Sequence, residues 1–481
     1  MSRKSVLVGM SWSLAEKALP QILSLVISVI LARLLGPTEY RAVAVVLVFI
    51  NVCDVLVTSG FGLALIQKVN ADKLDYSTMS IFSIGLGVII AVILCVVSPE
   101  IERYFEIPFL SMYLSVMSLR IPIAALNSIQ RAYLQKKLEF NKIFLATLMS
   151  TFLSGLTGIT MSLVGFGTWA LIAQYMSSSI ISTVIFCFVA RYPFGLKFSW
   201  IRFAPMFHFS WKLTLSALIS KMYDECRAFV IDKNYSGNSI SFYNKGLQIP
   251  NVVVSTVNAS TTTVMFPVMA EAQRDLSKLQ TLVKQSIRFS TYIITPMMLG
   301  LMIISEPLVS LLFSQVWSET VPYMQIFAVS YVFVPIIELN QRAVQAIGKS
   351  GIVMSVELVN KGIGIISIIM VILLCDSPIY IAVSFLFYML FALISSLIIY
   401  GKIINYSIWQ QLNTIKGSTL LSLIMCSAIW PLRYVIDNEL LLIICQVGLG
   451  VCIYIILSIV FNMQEVSMVY NLIKKIVQKR T

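Results

Sequence analysis

TMSIFSIGLGVIIAVILCVVS, residues 78–98, carries no charged side chain. A helix needs about 20 such residues to cross the hydrocarbon core of a bilayer, so this stretch reads as a membrane span. It is not an isolated run. Apolar stretches bounded by charges or by Gly and Pro give fourteen candidate helices, seven between Ser11 and Ile231 and seven between Ile240 and Phe461. The expected fold class is therefore an all-α polytopic membrane protein.

Composition agrees. Of 481 residues, 58% are hydrophobic and 12% charged, about half the roughly 25% charge of a soluble domain. A soluble enzyme, a disordered chain and a collagen-like fibre are excluded. The net charge of +13 would suggest nucleic acid on a soluble chain. Here it follows from the enrichment of Lys and Arg in cytoplasmic loops, so no nucleic-acid partner is expected.

Topology follows from the same rule. With both termini cytoplasmic, 23 of the Lys and Arg residues fall in cytoplasmic loops and ends. Only Arg33, Arg41, Arg103, Lys233 and Arg433 fall on the other side. A shift of one helix would destroy that bias. The first span is expected to be retained rather than cleaved as a signal peptide, because Met1–Gly9 lacks the short apolar core of one.

A faint internal repeat divides the chain. Ser11-Trp12 and Ser210-Trp211 lie 199 positions apart, and Gln130-Arg131-Ala132 and Gln341-Arg342-Ala343 lie 211 apart. Two matches in the same order suggest two six-helix lobes, 1–200 and 201–405, followed by helices 13 and 14 in 406–481. Lys402–Lys416 reads as the linker to that last pair.

Polar residues inside the spans need reasons, because a charge at the bilayer centre costs roughly 2.5–3.5 kcal/mol even on the gentler insertion scale. On the eighth helix, Lys245, Gln248, Asn251, Ser255, Asn258 and Thr262 recur every three or four residues, so they share one face. Such a face either bonds to a neighbouring helix or lines a water-filled cavity. The first helix repeats the pattern with Ser13, Lys17, Gln21, Ser24 and Ser28. Weaker stripes are Asn51, Asp54 and Thr58 on the second helix and Arg120, Asn127 and Arg131 on the fourth.

Lys221–Glu225, Glu338–Arg342 and Glu357–Lys361 are spaced to neutralise one another within a helix. Lys17, Arg120 and Lys245 have no such local partner, so they are the first candidates for an anionic ligand. Lys221, Gln248, Asn251 and Asn258 complete the candidate binding set. Asp54 and Glu225 are the candidate ion-coupling carboxylates, with a structural hydrogen bond as the alternative for Asp54 and local pairing for Glu225.

Catalytic signatures are missing from the sequence. There is no GxxxxGK[ST] loop for a nucleotide and no GxSxG elbow. A single histidine, His208, and eight cysteines without a CxxC pair give no expectation of a metal site or a cofactor.

The stretch Leu31-Ala32-Arg33-Leu34-Leu35-Gly36-Pro37, followed by Tyr40, resembles the end of the first helix in bacterial polysaccharide flippases. Tyr243 to Pro250, then Met265-Phe266-Pro267-Val268-Met269 and Gln273-Arg274-Asp275, resembles their eighth helix and the loop after it. Arg41 departs from the pattern, which usually has glycine there. The family sits in the multidrug/oligosaccharidyl-lipid/polysaccharide (MOP) exporter superfamily, with drug/cation antiporters and the lipid II flippase.

The resemblance implies two six-helix lobes around a central cationic cavity that opens alternately to each side. The cargo it implies is an undecaprenyl-diphosphate-linked oligosaccharide of O-antigen, colanic-acid or teichuronic-acid type. The implied setting is the bacterial inner membrane, with membrane lipids and a polysaccharide polymerase as partners. A cation antiporter and a membrane glycan polymerase or glycosyltransferase are the alternative functions.

Overall fold

In the computed structural model of the chain, the described residues are 3–68, 70–190, 195–235, 237–463 and 465. The side chains of 3–18, 259–260, 262–264 and 267 fall outside the description, and with them the candidate Lys17; so does the tail from 466 onward. Every regular element among the described residues is helical.

By backbone packing the chain forms two compact units, Met1–Asn244 and Lys245–Thr481. The first contains α1 (Arg3–Leu34), α2 (Pro37–Thr58), α3 (Phe61–Gln67), α4 (Lys73–Phe105), α5 (Leu110–Ser118), α6 (Arg120–Lys136), α7 (Phe140–Leu163), α8 (Thr168–Ala190) and α9 (Trp200–Asn234). α10 (Ser239–Glu271) begins at the boundary. The second continues with α11 (Leu276–Phe313), α12 (Thr320–Tyr331), α13 (Val334–Ala346), α14 (Ser350–Leu374), α15 (Ile379–Ser395), α16 (Gly401–Ile403), α17 (Ile408–Ile429) and α18 (Glu439–Val460).

Among the described residues, eleven helical segments, some built from two consecutive helices, are long and apolar enough to cross a membrane. The expectation of fourteen spans needs α1, α9 and α10 as well. These three form as long helices.

Three spans expected as single helices are interrupted, and prolines account for two of the breaks. Pro122 lies four residues after Ser118, where α5 ends, and Pro335 lies four after Tyr331, where α12 ends. A proline ring clashes with the carbonyl four residues back and offers it no N–H. The α2–α3 break instead centres on Gly60, at φ +89°. A Cβ there would come within 2.6 Å of the Ser210 carbonyl oxygen, so only glycine lets α9 approach so closely.

The carbonyls freed at that break find new donors. The hydroxyl of Ser128 donates to Thr58 O at 3.1 Å and that of Thr214 to Ser59 O at 2.5 Å. Two helices thereby hold the bent end of α2 in place, which satisfies backbone groups that lipid could not.

Helix starts carry their own signals. Asp72 and Asp75 form a reciprocal capping box at α4. The Asp75 backbone N–H, donating to Asp72, holds the Asp72 carboxyl below the usual carboxylate range. Asp75 is fully buried and receives Lys68 at 2.6 Å, and Arg202 reaches both aspartates at 3.3 and 3.4 Å. The starts of α4 and α9 are tied together at this end.

The expected linker Lys402–Lys416 is corrected by the structure. α17 already starts at Ile408, because Ser407 and Gln410 make a second reciprocal capping box. Only residues 404–407 connect α16 to it.

Candidate functional site

Within the first unit, α2, α3, α6, α7 and α8 enclose a cavity of about 590 Å³. Its lining mixes apolar residues with many polar ones. Asp54 and Thr58 come from α2, Arg120, Asn127, Ser128, Arg131 and Gln135 from α6, Thr147, Ser150 and Thr151 from α7, and Tyr175, Ser178, Ser179 and Ser182 from α8.

The helix breaks place these groups. Pro122 starts α6 afresh, so that Arg120 sits in its first turn, and Gly60 turns Leu63 and Ile66 of α3 toward the cavity. Asn127 donates to Ser182 at 2.8 Å and to Thr183 at 3.2 Å, joining α6 to α8. Ser150 and Thr151 give their protons to the Thr147 carbonyl, at 3.0 and 2.8 Å. Their oxygens keep lone pairs for other donors.

Two charged pairs meet at this site. Arg120 Nη2 lies 3.3 Å from Asp54 Oδ2. On α9, Lys221 contacts Glu225 at 2.7 Å, and Asn51 donates to the same carboxylate at 3.0 Å. Lys221 is also within electrostatic reach of Asp54. Four of the candidate residues, Asp54, Arg120, Lys221 and Glu225, therefore fall into one cluster on three helices.

Arg120 lacks a partner on its own helix, as expected, but Asp54 supplies one from α2. Of the alternative partners for Asp54, Asn51 or a group on a neighbouring helix, Asn51 donates to Glu225 and Arg120 comes from the neighbouring helix. Lys221–Glu225 and Glu357–Lys361 pair within their helices, both at 2.7 Å. Arg342 donates to Gln345 at 3.0 Å.

The α10 stripe belongs to the second unit and does not form one continuous wet face. Lys245 is 4% exposed. Its ammonium lies over the rings of Phe313 and Trp317, 5.3 and 5.7 Å from their centres, and 3.5 Å from Gln248 Oε1. Gly246 permits this burial: a Cβ there would sit 2.6 Å from Tyr323 Cβ. Gln248 is half-buried, Asn251 is exposed and Asn258 is buried beside Glu338. Lys245 is thus enclosed by aromatic rings.

A smaller cavity of about 170 Å³ lies inside the second unit. Glu338, Gln341, Glu357 and Asn360 line it with Tyr388 and Tyr400.

The hydroxyls of α7 and α8 are the part of the site that the stripes on the other helices did not reveal. A signal was present: Tyr175, Ser178, Ser179 and Ser182 recur at helical spacing, as do Thr147, Ser150 and Thr151. Serine and threonine are common in packed membrane helices, so the pattern does not stand out by type.

A polytopic helical chain with ionisable residues turned into an internal cavity has the architecture of a membrane transporter. Its fold is similar to that of solved transporters of the MOP superfamily. It is similar to the lipid II flippase MurJ in an inward closed conformation, with TM-score 0.77 and 18% identity over 95% of this chain and 99% of that one. It is also similar to an inward-facing multidrug resistance MATE family transporter, with TM-score 0.66 and 17% identity over 82% and 98%.

The chain belongs to the family described as "Polysaccharide biosynthesis protein", whose sequence model matches residues 30–322. Similar relatives include the lipopolysaccharide biosynthesis protein WzxC of Escherichia coli (strain K12), 28% identical over 68% of this chain and 67% of that protein. The succinoglycan biosynthesis transport protein ExoT of Rhizobium meliloti (strain 1021) is 25% identical over 69% and 67%.

Proposed function

We propose that this protein is a flippase for lipid-linked glycan units, moving undecaprenyl-diphosphate-linked oligosaccharide from the cytoplasmic to the outer leaflet of the bacterial inner membrane. The observation that carries the reading is the first-unit cavity, in a chain of the polysaccharide biosynthesis family. Its charged lining is Arg120 and Arg131 against Asp54, so its formal balance is cationic. An arginine fork matches the paired oxygens of a phosphate, and a charge-assisted bond is about twice as strong as a neutral one. The row of Ser, Thr, Asn and Gln supplies donors and acceptors of the kind that sugar hydroxyls use.

The cavity runs from Asp54 toward Gln135, at the end of α6 that the basic loops assign to the cytoplasm. That is where a lipid-linked precursor assembled inside the cell would enter. Its prenyl chain stays in the bilayer, and alternating access of lobes 1–200 and 201–405 carries the headgroup across. Helices 13 and 14 lie outside this moving pair, and both termini are cytoplasmic. Transport rather than catalysis is the activity, driven by an ion gradient since the sequence encodes no nucleotide loop. A cation antiporter would need an anionic site, and the cationic balance of the cavity weighs against it.

Deletion of the gene tests this reading. Cells lacking the protein should lose surface polysaccharide and accumulate the lipid-linked precursor on the inner leaflet. Loss of the precursor itself would point to a glycosyltransferase instead, and its accumulation on the outer leaflet to a polymerase.

A further inference from the structure

The Asp54–Arg120 pair differs from the other buried pairs of the first unit in a way that bears on how an anion could load. Elsewhere a buried carboxylate is well held. Both oxygens of Asp232 are engaged by Arg41, at 2.8 and 3.2 Å, and Asp75 is approached by Lys68, Arg202 and a backbone amide. Asp54 has one ion contact, at 3.3 Å, and its Oδ1 is buried without a hydrogen bond among the described residues. Arg120 and Asp54 also line the cavity side by side, with side chains 24% and 14% exposed. A single loose contact at the cavity wall is a contact that another anion can replace.

We propose that Asp54 is an exchangeable counter-ion of Arg120, holding the anion site until the substrate's phosphate displaces it, and that it takes up a proton when displaced. The inference rests on the flippase reading and adds the order of events at the site. With the phosphate on Arg120, Asp54 loses its ion contact. A buried carboxylate stripped of its partner is left as an uncompensated charge. Taking a proton from hydronium in the water at the cavity mouth removes that charge: an O–H bond breaks on the hydronium, which leaves as water, and one forms on the carboxylate.

The other groups around Asp54 do not relieve it. Lys221, on α9, is already engaged by Glu225, which also receives Asn51. Arg131, on α6, and Tyr175, on α8, face the same cavity. Cys53 is its neighbour on α2 and feels the same carboxylate. Loading of an anion and uptake of a proton are then linked, and linkage is reciprocal: a proton on Asp54 frees Arg120 and strengthens anion binding by the same factor.

Calorimetric titration of farnesyl diphosphate into the full-length protein in lipid nanodiscs tests this, run in buffers of different ionisation enthalpy to count protons. The wild type should take up about one more proton per ligand than Asp54→Asn, which carries only the ligand's own titration. Wild-type affinity, relative to that variant, should rise as pH falls, by up to about tenfold per pH unit for one linked proton. Asp54→Asn should bind more tightly than wild type at neutral pH, and Arg120→Gln should bind weakly at every pH.

Equal proton counts and equal affinities for wild type and Asp54→Asn, with Arg120→Gln still weak, would overturn the exchange and leave the flippase reading standing. Binding that ignores Arg120→Gln, or no wild-type binding, would overturn both. Asp54→Ser serves as the second removal of the carboxylate if the thermal transition shows that Asp54→Asn is misfolded.

Discussion

Arg41 Nε and Nη2 hold the two carboxylate oxygens of Asp232 at 2.8 and 3.2 Å, fastening the first turn of α2 to the last turn of α9. Asp232 is fully buried at its side chain. The position at which this chain departs from the family's usual glycine thus acquires a structural role. Arg41→Ala leaves a buried charge without its partner, a loss of about 3–5 kcal/mol. The melting temperature in detergent should fall markedly, and adding Asp232→Asn should recover part of it. An unchanged melting temperature for Arg41→Ala would show that the pair contributes nothing.

Gly60 and Gly85 make a contrasting pair. Gly60→Ala meets the Ser210 carbonyl oxygen at 2.6 Å and keeps a positive φ of 89°, which costs about 1–3 kcal/mol. Gly85→Ala, inside α4 with nothing within 4 Å of the new Cβ, should stabilise the helix by about 0.5–1 kcal/mol. Thermal unfolding of the two variants beside wild type should therefore give shifts of opposite sign.

Arg120 and Lys245, two of the three cations first expected to meet an anionic ligand, should behave differently. Arg120→Ala should reduce glycan export while membrane abundance stays unchanged, because its side chain lines the cavity. Lys245→Ala should reduce abundance, since it opens a gap beneath Phe313 and Trp317. Lys245→Met, which keeps the packing, should restore it. Immunoblots of membranes, read with surface polysaccharide, separate these outcomes.

Topology can be read with single cysteines in a background lacking the native ones. Lys137→Cys, between α6 and α7, should resist an impermeant thiol reagent in intact cells, and Glu106→Cys, after α4, should react. Both sites are exposed at helix ends. The reverse labelling would invert the orientation derived from the basic loops.

Much of this architecture was legible from hydropathy, because lipid imposes a strong and local demand on each span. Lys221–Glu225 was legible too, since partners four apart on a helix must be neighbours. Asp54 and Arg120 were each singled out by their own stripes, yet nothing in the sequence joined them. Periodicity tells which face a residue occupies; it does not tell which helix lies opposite. The same limit explains Lys245, whose stripe suggested a wet face while Phe313 and Trp317 arrive from far along the chain. The start of α17 was a different kind of omission, for Ser407 and Gln410 spell a capping box that apolar counting passed over.

Reconstituted transport tests the central claim most directly. Purified protein in vesicles, loaded on one leaflet with a fluorescent diphosphate-linked oligosaccharide and given an ion gradient, should move the glycan to the other leaflet. Arg120→Gln should slow that movement at least tenfold, and a lipid bearing the same glycan without phosphate should not compete. Equal movement by wild type, Arg120→Gln and protein-free vesicles would contradict the account.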